Sequence, residues 1–284
     1  MVAICSAMQP SHAKPVDLFR LAYRGKLNTA PAEMLTLEAV TKLGPKTNAA
    51  LGDSSILVIA AWRGNLDHIP KDFLTQETMF KDAGYSYPFD YAVAYGHVDQ
   101  VPAEMVTNEN LLSLRGKPLS PLHSAAIHGM LHTIPVQFLT AANCKELSTY
   151  NQKNNQNSCF HYSAYNKHLD DIPAHLFTLE NMLLENPVGC TPLHWVALAG
   201  QLDQVPSEWL TTEVLLADHT ESGTILASAR SCLTQIPLIK NAMLNKPELN
   251  DALIKELIAS GIELPNELAS NWKHLEKHGN WLEL

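Results

Sequence analysis

Apolar positions along this chain fall in short helical stripes that glycine and proline interrupt at a regular interval. The pattern is plainest after Thr191, where Leu193, Val196 and Ala197 share one helical face and Gly200 follows. The Thr191 hydroxyl can accept from an amide left unpaired at a helix start, and Pro192 suits the first helical position, whose amide has no partner in any case. Gly200 is the residue best able to take a left-handed C-terminal conformation. The spacing therefore predicts a helix of about two turns over 192–199. So short a helix is marginal in water, because nucleation is costly and few hydrogen bonds follow it. It requires neighbours.

The sequence supplies them. Pro31, Pro70, Pro102, Pro135, Pro173, Pro206 and Pro237 recur with the same companions at separations of 39, 32, 33, 38, 33 and 31 residues. A period near 33 residues is a signature of stacked repeats. Six residues before the proline stands Gly25, Gly64, Gly96, Gly129 or Gly200, with Lys167 and Ser231 in the remaining copies. Four residues before it stands Leu27, Leu66, Val98, Leu131, Leu169, Leu202 or Leu233. Leu57, Phe89, Leu122, Phe160 and Leu193 are the expected core, each contributing roughly 1.5–3 kcal/mol by burial. The pairs Ala60-Ala61 and Ala125-Ala126 leave room for close helix contact. After the proline come three variable residues, an apolar residue and threonine, as in Ile69-Pro70-Lys71-Asp72-Phe73-Leu74-Thr75, which predicts a second short helix beginning at the proline. Glu38, Glu77, Glu109, Glu180 and Glu213 stand two residues after the threonine, where a negative charge favours a helix N-terminus, and predict one further turn.

The run Thr191-Pro192-Leu193-His194, followed by small residues, Gly200, Leu202 and Val205, resembles the first half of the ankyrin repeat. The match is near-full from Ser120 and weaker from Ser55, Tyr87 and Ser158. The resemblance implies an all-α fold, an ankyrin-like helical-repeat solenoid of about seven repeats. The expected organisation is an N-terminal extension over 1–14, a repeat array over 15–246 and a helical C-terminal cap over 247–284. In the cap, Leu249, Leu253, Leu257 and Ile258 keep helical spacing. Proline follows the valine and no Gly-Ala closes the unit, so the β-hairpin fingers of the family are expected to be short or missing. Insertions near Lys42–Ser54 and at Asn151–Asn157 are expected to be loops.

Composition changes this picture little. The chain is 46% hydrophobic with a net charge of −9, which argues against nonspecific binding to nucleic acid. No apolar run approaches the roughly 20 residues that span a membrane, and the start Met1–Met8 has neither the basic leader nor the apolar core of a signal peptide. The cysteines show no C-x-x-C pair. Cys159 and Cys190 occupy nearby places in successive repeats, where a disulfide is conceivable, but reduced thiols in a cytoplasmic setting are expected.

Chemistry has few footholds. Phosphate-loop, nucleophile-elbow and kinase motifs are missing. His123, His161 and His194 belong to the repeat motif, where the resemblance implies that each imidazole bonds the backbone of a neighbouring turn. One per repeat, they would lie too far apart to share a zinc ion whose ligands converge at about 2 Å. His128 and His132 have helical spacing, but the glycine between them should end the helix. The expectation is a protein that is not an enzyme and carries no cofactor or metal. The alternative is an enzyme or metal-dependent subunit that uses the histidine-rich centre around His128, His161 and His168.

Binding has a clearer candidate. In the family, the two residues before the glycine position project into the concave groove. Here they include Tyr23, Arg24, Trp62, Arg63, Tyr95, His128, Tyr165 and Arg230. Tyrosine, tryptophan and arginine are the residues most enriched at interface hot spots. The expected function is therefore non-catalytic capture of one protein partner on that face by a monomer, as adaptor, inhibitor or effector delivered into a host cell. Trp195 and Trp209 lie elsewhere in the repeat and are assigned to packing or to another face.

Overall fold

Short helices alternate with tighter turns along the whole of the described chain. The computed structural model describes residues 17–44, 54–81, 87–149, 156–211, 214–215, 218–219 and 223–225. In chain order the α-helices are α1 (Leu18–Tyr23), α2 (Leu37–Thr41), α3 (Ile56–Arg63), α4 (Gln76–Met79), α5 (Pro88–Ala94), α6 (Asn108–Leu112), α7 (Pro121–His128), α8 (Ala141–Lys145), α9 (Cys159–Tyr165), α10 (Leu179–Met182) and α11 (Pro192–Ala199). Odd-numbered helices are longer than the even-numbered ones that follow them. At the level of class the described protein is all-α.

The odd-numbered helices begin and end on the residues that the caps require. The hydroxyls of Ser55, Ser120 and Thr191 accept from the amides of Val58, His123 and His194. Gly64, Gly129 and Gly200 close α3, α7 and α11 at φ of 66°, 69° and 76°. Glycine is needed at Gly129 for a second reason, because a Cβ there would lie 2.7 Å from Nδ1 of His168. Lys167 adopts φ of 66° at the position that glycine holds elsewhere.

The second half of each segment departs from expectation. No helix starts at the proline: Pro31, Pro70, Pro102, Pro135 and Pro206 have ψ between 127° and 131°, which is extended backbone. A single 3₁₀ turn follows instead, for example Lys71–Phe73 or Val136–Phe138. Only three residues separate the proline from the apolar residue that must turn into the core, and that is too few for the i to i+4 bonds of an α-helix. Another 3₁₀ turn precedes the proline, as in Leu66–His68 and Leu202–Gln204. The threonine then caps the even-numbered helix. Thr36, Thr75, Thr107, Thr140 and Thr178 accept from the amides of Ala39, Thr78, Asn110, Asn143 and Asn181.

The described residues form two compact units that divide between Pro88 and Phe89. In the first, α1 and α2 pack on α3, with Leu57, Ala60 and Ala61 buried. In the second, α7 packs on α9 and α9 on α11. Phe89, Leu122, Phe160 and Leu193 are buried there, as is the pair Ala125-Ala126.

Extended pairing is slight. In the first unit the Gly44 amide donates to the Ser54 carbonyl beside a single bridge between Leu43 and Ser55. In the second, Ser148 donates to Asn157, Asn186 donates to Cys190, and the two-residue strands β1 (Asp218–His219) and β2 (Gly223–Thr224) pair antiparallel. The N-terminal extension, the C-terminal cap, Pro237 and most of the two insertions lie outside the described residues.

Candidate functional site

Helix length sets where the described candidate residues emerge, since each sits in the last turn of an odd-numbered helix or on the residue just after it. In the first unit, Arg63 ties two helices together. Its Nε–H donates to the Tyr23 carbonyl at 2.9 Å, joining the end of α3 to the end of α1. The guanidinium carbon lies 4.9 Å from the Trp62 ring centroid and 5.7 Å from that of Tyr23, within cation–π range of both. The two rings are 5.6 Å apart and inclined at 58°. Tyr23 is 37% exposed, and Arg24 next to it is exposed. Three of the expected residues thus form one cluster of two aromatic rings under a cation.

The second unit holds two further groupings. Tyr95 at the end of α5 meets His128 at the end of α7, with centroids 4.6 Å apart, and stacks on Tyr91 at 6.0 Å. His128 Nδ1 lies 2.8 Å from the Ser124 carbonyl; a carbonyl only accepts, so the ring proton is on Nδ1. Tyr165, 60% exposed, meets Trp195 edge-on at 5.0 Å. Trp195 is therefore not on a separate face but belongs with the candidate set. The reason is helical: Trp195 precedes Leu198 by three residues, and residues three apart are neighbours on one helix face. Tyr91, four residues before Tyr95, shares its helix face for the same reason. Trp209 packs on Phe177 at 5.0 Å, away from these residues in sequence register. Arg230 lies outside the described residues.

The motif histidines are structural bridges. Nε2 of His123 lies 3.0 Å from the Glu146 carbonyl, and Nε2 of His161 lies 2.9 Å from the Cys190 carbonyl. Each Nε2 must donate, which leaves Nδ1 to accept from Ser120 and Ser158 hydroxyls at 2.7 Å. In His194, Nδ1 lies 2.8 Å from the Thr191 hydroxyl. One imidazole thus joins a helix start to the next connection along the chain. Burial pushes the proton affinity of His123 down against the opposing carbonyl bond, and it pulls His161 down to about 4. Both rings are neutral at neutral pH.

His128, His161 and His168 do not converge. His161 is buried in its two bonds, His128 stacks on Tyr95, and the His168 ring lies over Gly129. Among the described residues no three His, Cys, Asp or Glu side chains are placed to hold a metal ion. Cys144, Cys159 and Cys190 are buried free thiols. The Cys159 thiol shares a hydrogen bond with that of Cys144, and that contact together with burial pushes its proton affinity well up.

One charged cluster carried no sequence signal. Asp90 receives Arg115 Nη1 at 3.1 Å and Lys117 Nζ at 2.9 Å, with all three side chains mostly buried. Burial raises the Asp90 carboxyl above its ordinary range despite both cations. Arg115 also bonds the Asn110 carbonyl and lies over the Phe89 ring, so the cluster pins the loop after α6 onto α5.

No family model matches the chain, and no curated protein is found to be similar to it. Among the described residues no helix is long and apolar enough to cross a membrane.

Proposed function

We propose that this chain is a non-catalytic, protein-binding module of the ankyrin-repeat class, built as a helical solenoid, that holds its partner through residues at the ends of the odd-numbered helices. The reading rests on one observation above the rest: Tyr23, Trp62 and Arg63 form a partly exposed aromatic and cationic cluster at equivalent positions of two successive helices. Such side chains combine large contact area with a polar handle, which is what hot spots use. The recurrence of cap, glycine turn and histidine bridge at a 33-residue period supports the class. The two bonds that occupy the buried His161 ring, to the Ser158 hydroxyl and to the Cys190 carbonyl, favour a structural role for it over a catalytic one. A cytoplasmic setting, in the cell of origin or in a host, belongs to the same proposal.

The test is affinity capture from a native lysate with the wild type and with a Y23A/W62A/R63A variant, read by mass spectrometry. A partner retained by the wild type and lost by the variant, with an unchanged helical circular-dichroism spectrum, is the expected result. Equal capture by both proteins would remove this cluster as the binding surface.

A further inference from the structure

A second surface in the second unit has a different chemistry. The turns on either side of Pro135 and Pro173 leave an open cavity of about 720 Å³ between three successive segments. Its floor is apolar: Ile134, Leu139, Leu169 and Ile172 are buried there, while Phe177 and Val136 form the walls. Val136 is 67% exposed. The volume falls within the roughly 300–1,000 Å³ of ordinary ligand sites.

The lip of the cavity is acidic. Asp170 and Asp171 line it, and neither lysine nor arginine does. The charge of Asp171 is already answered within the fold, because its carboxylate accepts from the amides of Leu131 and His132 and from Nδ1 of His132. Asp170 is exposed and faces outward. The middle residue of the 3₁₀ turn before the proline repeats this sign at Asp99, Asp170 and Asp203, all exposed, whereas in the turn before Pro135 it is His132, which lines the cavity and is paired with Asp171. Glu104 and Glu208 add exposed carboxylates in the turns that follow the proline. Around the cavity itself the acidic register lapses, and Val136 and Gln137 take its place. The apolar well thus has the exposed carboxylate of Asp170 on its lip, with Asp203 in the turn of the next segment.

We infer that this groove takes a basic peptide segment of a partner protein, seating an aliphatic or aromatic side chain on Val136, Ile172 and Phe177 while flanking lysines or arginines meet Asp170 and Asp203. The apolar floor supplies burial, and charge complementarity supplies orientation and speed of encounter. A net charge of −9 on the chain acts in the same direction at long range. Anionic surfaces and nucleic acid are repelled by the same lip. The site shares no residue with the aromatic cluster of the first unit, so either can fail without the other.

The experiment is selection of a phage-displayed random dodecapeptide library on the full chain, with counter-selection on a V136K variant. The enriched sequences should carry an apolar residue beside lysine or arginine. A synthetic peptide of that consensus, followed by fluorescence anisotropy, should bind at least about tenfold more weakly to V136K and to D170K, and more weakly again as salt rises. Both substituted residues are exposed, and the two variants report on the well and the lip separately. Enrichment of acidic or uncharged sequences, no enrichment at all, or a consensus peptide that binds both variants as tightly as the wild type would overturn the inference.

Discussion

At His161 burial and hydrogen bonding pull proton affinity in opposite directions, and burial wins. The folded ring takes a proton only near pH 4, whereas the ordinary histidine value is 6.5. Between those limits the unfolded chain binds more protons than the folded one, so stability present at neutral pH is lost as pH falls through the window from 6.5 to about 4. The full gap corresponds to about 3 kcal/mol. His123, shifted the same way, adds to the loss. Urea midpoints measured from about pH 7 down to about pH 4 should therefore fall steeply for the wild type. They should fall less steeply for H161Q, whose amide can still donate to the Cys190 carbonyl but cannot titrate; equal slopes would acquit His161. The roles of His123 and His161 were legible because the resemblance to the ankyrin repeat implies an imidazole bonded to the backbone of a neighbouring turn. The place of Trp195 was not, since it depends on which helix face meets Tyr165. That of Asp171 was not either, because its bonding partners Leu131 and His132 belong to the preceding segment.

Element boundaries were readable where one residue type alone satisfies a geometric demand. Thr191, Pro192 and Gly200 bracket α11, and the same logic locates α3 and α7. The segment after each proline was misread because proline fits both a helix start and an extended residue. What decides is the distance to the next buried side chain, a tertiary matter. That region carries a recurring asparagine three residues after the capping threonine. The amides of Asn110, Asn143 and Asn181 reach back to the carbonyls of Met105, Phe138 and Leu176 at 2.7 to 2.8 Å, clasping the end of the preceding turn. Asn181 is buried, so N181A should leave the Leu176 carbonyl without its partner and destabilise by about 1–3 kcal/mol. N181D should be worse at neutral pH, because it sets a carboxylate oxygen against a carbonyl. Denaturant midpoints of the two variants check the order, and an N181D at least as stable as N181A would show that the clasp contributes little.

For the second unit as a whole, stability is shared between neighbouring helices that are too short to persist alone. Helix α9 has seven residues and packs on both α7 and α11. Phe160 is its largest buried side chain, at 1% exposure. Removing that ring should cost about 3–5 kcal/mol, a large part of the roughly 5–15 kcal/mol by which a domain is stable. In a globule with one central core, such a loss would spread evenly. Where each helix is supported by those before and after it, the loss should concentrate on its neighbours. Hydrogen–deuterium exchange of F160A should therefore show protection falling in α7, α9 and α11 together, more than in α5 and α6. V136A, which trims an exposed valine, serves as the near-neutral comparison. If α9 alone lost protection, the neighbouring helices would be standing without it, and mutual support along the unit would have to be abandoned as the source of its stability.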